Sequence, residues 1–310
     1  MPLASSLLVL RLTGTLFALL IGLAFGSFLN VCLCRWPLGE SVSAPRSHCR
    51  NCSHVLSWWE NLPLVSWLLL RGRCRGCKTP IGVRYPLVEA LVATLWAAYA
   101  WPLAPAILDP FVIPSVAFYN LLILLGGWLF LWLMVALAAL DLAEFWLPDW
   151  LTLPGIALGL LLTLSKSLWL DRIRQAKLLS DSSPEQLSTP HLLGQRLAAI
   201  LLLSGGLWIT SLIYKWIRHR EGIGLGDVKL VAMLAAWLGL GNALVSFAVG
   251  IFLGALVALL VLFWPQLRRE QSSWQLTQLP LGSFLCLGGV VACFWGERIT
   301  SLYLQLCGLR

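Results

Sequence analysis

Eight stretches of this chain are apolar over lengths close to that of a membrane-crossing helix: 7–33, 86–107, 115–140, 149–169, 191–214, 228–241, 243–264 and 280–296. A span needs about 20 apolar residues, and the sixth stretch is the short one. Hydrocarbon offers the backbone no hydrogen-bond partner, so each such stretch must satisfy its own N–H and C=O groups as a helix. Charged residues make up 12% of the 310, about half the share usual in soluble domains. The expected fold is therefore an all-α polytopic membrane protein with about eight transmembrane helices. The first stretch reads as a span and not as a cleaved signal, because it is too long and no A-x-A-like site follows it.

The net charge of +8 is unevenly placed. The loop between the first two spans carries Arg35, Arg46, Arg50, Arg71, Arg73, Arg75, Lys78 and Arg84. Lys215, Arg218, Arg220 and Lys229 flank the start of the sixth span, and Arg268 and Arg269 precede the eighth. Positive residues stay on the cytoplasmic side. Eight spans then put both termini outside, together with the mixed-charge stretch 166–190. The basic loops are read as orienting the chain, with recruitment of an anionic membrane or an acidic substrate as the lesser alternative. A lipid bilayer is the expected environment, and no nucleic-acid partner is expected.

Nine cysteines fall into two groups. Cys32, Cys34, Cys286, Cys293 and Cys307 lie in or beside apolar stretches, where a thiol packs as a small hydrophobe. The other four form Cys49-x2-Cys52 and Cys74-x2-Cys77, with 21 residues between the pairs. That is near the spacing of a structural zinc site, in which four thiolates leave no open position. Disulfides or unligated thiols are the alternatives, and a reducing compartment disfavours the former. A loop of this size has little core of its own, so a metal could supply folding free energy. His48 and His54 are not needed as ligands and read as surface residues. Between the cysteine pairs, residues 56–70 are apolar and aromatic but too short to span. They read either as a segment lying in the membrane interface or as the core of the small loop domain.

Carboxylates at the ends of the apolar stretches are the candidates for chemistry. Asp141 closes the run 111–140, and Asp227 ends the string Gly222-Ile223-Gly224-Leu225-Gly226-Asp227 just before another apolar stretch. Acids within membrane helices are costly and mark functional sites by default. Asp149 has a structural explanation: Pro148 can open the next helix, and the acid then faces the positive end of its dipole. Asp141 and Asp149 are also about 12 Å apart along a continuous helix, too far to share a proton. Asp141 therefore pairs better with the distant Asp227. The alternative for Asp227 is an N-capping acid after a loop glycine turn. The glycines before it permit close approach of a substrate main chain. Two carboxylates held close cannot both ionise readily, which suits aspartic-peptidase chemistry without a metal.

These blocks together resemble the type IV prepilin peptidase family, the prepilin leader peptidase/N-methyltransferases with a G-x-G-D motif. They are Gly26-Ser27-Phe28-Leu29-Asn30-Val31, Arg35-Trp36-Pro37, the four-cysteine loop with Trp59-Glu60-Asn61-Leu62-Pro63 inside it, Arg84-Tyr85-Pro86-Leu87-Val88-Glu89, Asp141-Leu142 through Leu147-Pro148-Asp149, and Gly224-Leu225-Gly226-Asp227-Val228-Lys229-Leu230. The resemblance implies an inner-membrane enzyme, active site facing the cytoplasm. It would cut the basic leader from type IV prepilins or type II secretion pseudopilins after a Gly, then methylate the new N-terminus with S-adenosylmethionine. It implies Asp141 and Asp227 as the catalytic pair and associates zinc, at Cys49, Cys52, Cys74 and Cys77, with the loop. Two departures stand out: Glu60 where the family commonly has Asp, and a long 166–190 segment. The expected organisation is a first transmembrane helix (1–33), a cytoplasmic four-cysteine zinc loop domain (34–85) and a transmembrane peptidase core (86–310). The residues binding S-adenosylmethionine do not follow from any motif, though Glu60, Glu89 and the Arg-rich loop are possible participants. Competing readings are a peptidase that does not methylate and, in another class, a proton-coupled transporter.

Overall fold

The structure is a computed structural model in which residues 2–175, 189–219, 224–263 and 279–308 are described. Among the described residues, eight α-helices run in order: α1 Pro2–Arg35, α2 Val65–Leu69, α3 Arg84–Leu108, α4 Pro114–Glu144, α5 Asp149–Gln175, α6 Thr189–Arg218, α7 Leu225–Phe263 and α8 Leu281–Leu306. Among the described residues the only β-pairing is two isolated bridges. Seven of the helices are long and apolar enough to cross a membrane. Residues 176–188 of the mixed-charge segment lie outside the described residues, as do Arg220, Gly222, Ile223, Arg268 and Arg269.

The stretches expected as separate spans at 228–241 and 243–264 are two helical segments that meet at a kink within Leu225–Phe263, labelled together as α7. It is interrupted at Gly239, whose φ of 77° and ψ of 177° are not helical. The string Gly239-Leu240-Gly241-Asn242, where the two apolar stretches part, lies at this joint. Helices also outrun their apolar stretches: α8 continues to Leu306, past Glu297 and Arg298. Hydropathy measures the thickness of hydrocarbon, whereas the hydrogen-bond ladder extends beyond it.

The chain divides into two compact units, Met1–Ala136 and Leu137–Arg310. In the first, α1 and α3 lie antiparallel along a seam of small residues. A Cβ on Gly22 would lie 2.7 Å from Ala93 Cα, and one on Gly26 would lie 2.7 Å from Glu89 Cα. Only glycine lets the two backbones approach this closely, which is how helices associate where lipid removes the hydrophobic drive. The first half of α4 joins them through Trp96 and Trp128. Their rings stack at 4.7 Å and 1°, and each indole N–H donates to the other residue's carbonyl, at 2.9 and 3.1 Å. A buried indole N–H needs such a partner, and here each satisfies the other.

The same unit carries the loop 36–83. Within it, Trp58–Asn61 forms a short 3-10 turn and α2 a single turn of helix. Trp58, Leu68 and Leu69 are exposed. The loop's frame comes from buried polar bonds. Glu60 accepts from the Ser57 amide at 2.8 Å, and Glu89 reaches from α3 to accept from the Leu64 amide at 2.8 Å. Arg35, buried at the end of α1, donates to the carbonyls of Ser41 and Pro45 at 2.7 and 2.6 Å.

In the second unit α7 is central, with α5, α6 and α8 packed on it. Leu230, Met233, Leu234, Ala235 and Ala236 of its first half are buried, as are Leu285 and Cys286 of α8. The helices' outer faces carry exposed Leu201, Trp216, Phe252 and Phe263. A water-soluble bundle would hide such residues, and a lipid-facing one displays them.

A candidate two-carboxylate site and a four-thiol cluster

Asp141 lies in the last turn of α4 and is almost wholly buried. Its Oδ2 takes two bonds from the N-terminus of α8: the Ser283 amide at 2.6 Å and the Ser283 hydroxyl at 2.9 Å. The chain leaves α4 through Phe145, which has a φ of 50°. That left-handed residue turns the chain so that α5 starts at Asp149. The Pro148 carbonyl takes the first helical bonds, from the Leu151 and Thr152 amides. Asp149 therefore sits in the first turn, as its sequence context implied, and Lys229 Nζ donates to its Oδ1 at 2.6 Å.

Asp227 lies in the first turn of α7 and is partly buried. Its amide donates to the Gly224 carbonyl at 3.2 Å. Asp227 is thus the third residue of the helix and not the N-cap that its alternative reading expected. The structure gathers the two distant acids in one place. The Leu147 side chain lies against Gly226 and Gly282: a Cβ on Gly226 would meet Leu147 Cβ at 3.1 Å, and one on Gly282 would meet Leu147 Cδ1 at 2.9 Å and Asp141 Oδ2 at 3.0 Å. Asp141 acts electrostatically on Asp227, and both act on Cys286, one turn along α8. Asp149 is turned to Lys229 instead.

Ser283 escaped the sequence reading. Its signal was present in Pro280-Leu281-Gly282-Ser283, a helix-opening string with a small residue beside a hydroxyl. Nothing in the string reveals that a carboxylate from α4 docks there.

In the first unit the four loop cysteines converge. Cys49 Sγ lies 3.8 Å from Cys77 Sγ and Cys52 Sγ lies 3.9 Å from Cys74 Sγ, and all four sulfurs fall within 4.8 Å of one another. Sulfurs bound tetrahedrally to one zinc at about 2.3 Å stand about 3.8 Å apart. The donor set therefore fits a metal ion held by four thiolates. The two cysteine pairs adopt the same turn. Cys49 and Cys74 amides donate to His54 and Thr79 carbonyls, both at 2.9 Å, and Ser53 and Lys78 each have a φ near 60°. Backbone amides of Asn51 and Cys52 draw the Cys49 thiol below its ordinary range. The Thr79 hydroxyl, with the Thr79 amide and Asn51, pulls Cys77 down to about 5. His54 is 32% exposed and bonds to Glu60 at 3.2 Å, so it is less a surface residue than expected. The Ser57 amide first, and then His54, hold Glu60's carboxylate below the usual range.

An all-helical, multi-pass membrane protein with two acids gathered at helix ends and a separate four-thiol loop is the class this architecture defines. Residues 20–103 match the model of the bacterial peptidase A24 N-terminal domain, and residues 128–259 match the type IV leader peptidase family. Proteins named prepilin leader peptidase/N-methyltransferase share this sequence over most of their length. That of Aeromonas hydrophila is 34% identical over 92% of both chains, that of Pseudomonas putida 33% over 94% of both, and that of Pseudomonas aeruginosa 32% over the whole of both. No solved structure matches the chain. The chain belongs to the type IV leader peptidase family.

Proposed function

We propose that this protein removes the leader peptide from type IV prepilins, or from type II secretion pseudopilins, and methylates the N-terminus that cleavage exposes. Family membership supports both activities. The single observation that carries the chemistry is the meeting of Asp141 and Asp227 around Leu147.

The mechanism asks one carboxyl to enter neutral and the other ionised. The ionised member takes a proton from water as the water oxygen bonds to the scissile carbonyl carbon. The neutral member gives its proton to the carbonyl oxygen, leaving a tetrahedral diol. On collapse the C–N bond breaks, the first carboxyl returns its proton to the amine, and the second recovers its own from a diol hydroxyl. Water and peptide bond are consumed and both carboxyls end as they began.

The four thiolates of Cys49, Cys52, Cys74 and Cys77 would hold zinc as a structural ion, fastening a loop that has little core. S-adenosylmethionine would supply the methyl group. Glu60 and Glu89 each accept from a backbone amide of the loop, so both carboxylates help to frame it. The orientation that fits the basic loops is an inner-membrane protein with its acids facing the cytoplasm. In this reading 1–33 anchors, 34–85 forms the zinc loop domain and 86–310 the peptidase core. A transporter would hold its acids near the membrane midplane, whereas both acids here sit in terminal turns of helices.

The test is incubation of purified protein with a type IV prepilin, with and without S-adenosylmethionine, read by mass spectrometry. Cleavage after Gly in both reactions and added methyl mass only with the cofactor is the expected result. An uncut prepilin would overturn the peptidase, and a cut but unmethylated product would overturn the second activity alone.

A further inference from the structure

We propose that Ser283 is a positioning residue for peptide hydrolysis: it holds Asp141 by Oδ2 and leaves Oδ1 as the oxygen that handles the proton. The inference rests on Asp141 being one of the two working carboxylates.

A carboxylate oxygen has two in-plane lone pairs. At Asp141 Oδ2 both are taken, one by the Ser283 amide at 2.6 Å and one by its hydroxyl at 2.9 Å. The hydroxyl has another acceptor in reach, the Ala138 carbonyl at 3.0 Å. That carbonyl lies inside α4, where the ladder already supplies its bond from the residue four further on. Oδ2 has the greater need. With Oδ2 saturated, a proton arriving at Asp141 must come to Oδ1.

The grip is also rigid. Ser283 is 2% exposed and fixed in the first turn of α8. A carboxyl on two single bonds can rotate, and two donors from one residue, one of them backbone, stop that rotation. The neighbour is shaped for the same purpose, since a Cβ on Gly282 would stand 3.0 Å from Oδ2. Orientation of a reacting group to within a fraction of an ångström is worth large factors in rate. A group that only orients Asp141 should act on kcat and leave binding of the long prepilin substrate untouched.

The experiment compares parent, Ser283→Ala, Ser283→Thr and Asp141→Asn as full-length purified proteins cleaving a type IV prepilin, with thermal melts alongside. Ser283→Ala keeps the amide but loses the hydroxyl. It is expected to lose about tenfold in kcat with KM within about twofold, at an unchanged melting temperature. Ser283→Thr, with both donors restored, is expected to recover most of that loss. A Ser283→Ala kcat within twofold of the parent, a loss that falls in KM, or no recovery by Ser283→Thr would overturn the role. If Asp141→Asn is inactive while Ser283→Ala is unimpaired, this inference fails alone. If Asp141→Asn still cleaves, the catalytic reading fails and this inference with it.

Discussion

At the scale of single residues, the acids divide by what their oxygens touch. Asp149 is spent on Lys229 across a half-exposed pair, which contributes at most about 1 kcal/mol. Asp141 is buried, with donors and a second acid around it. Asp141→Asn and Asp227→Asn are each expected to abolish leader cleavage, by about a thousandfold or more, in protein still inserted in the membrane. Asp149→Asn should retain cleavage within a few fold. The check is a prepilin-processing assay with membrane fractionation alongside. Gly282→Ala should also lose activity, since its methyl would press on both Leu147 and Asp141.

At the scale of elements, two features hold the helices in register. The α1–α3 seam leaves no space for a side chain at Gly22 or Gly26. Gly26→Leu should force the helices apart and cost about 1–3 kcal/mol or more, as overpacking does, seen as a lowered melting temperature in detergent. Gly239 gives α7 its joint at a positive φ, where any other residue is strained. Gly239→Ala should cost about 1 kcal/mol or more by the same measurement. The guanidinium of Arg196 packs against this glycine, so a methyl there would also displace a partly buried cation.

At the scale of the whole molecule, the loop depends on what fastens it. Its bonds run mostly through caps and turns, and the four sulfurs lie within 4.8 Å of one another. Chelation, or Cys49→Ser, should lower zinc content by elemental analysis and open 36–83 to proteolysis, while the helices stay protected. Unchanged metal in the Cys49→Ser protein would argue against the tetrad. Membrane sidedness is tested by cysteine labelling at Arg46 and Arg71 in whole cells. Labelling only after the inner membrane is breached would place the loop on the cytoplasmic side.

The sequence by itself determined that this is a helical membrane protein, because long uncharged runs have no other way to satisfy their backbones. It determined the thiol cluster too, since four cysteines in two close pairs carry their geometry in their spacing. It singled out Asp141 and Asp227 as acids without a local structural reason strong enough to dismiss them. What it could not carry was anything set by backbone meeting backbone. The α1–α3 seam is written only in scattered glycines, and the non-helical geometry at Gly239 belongs to the folded backbone. Ser283's hold on Asp141 links residues 142 positions apart. Such bonds depend on which helix ends meet, and that is decided when the bundle packs.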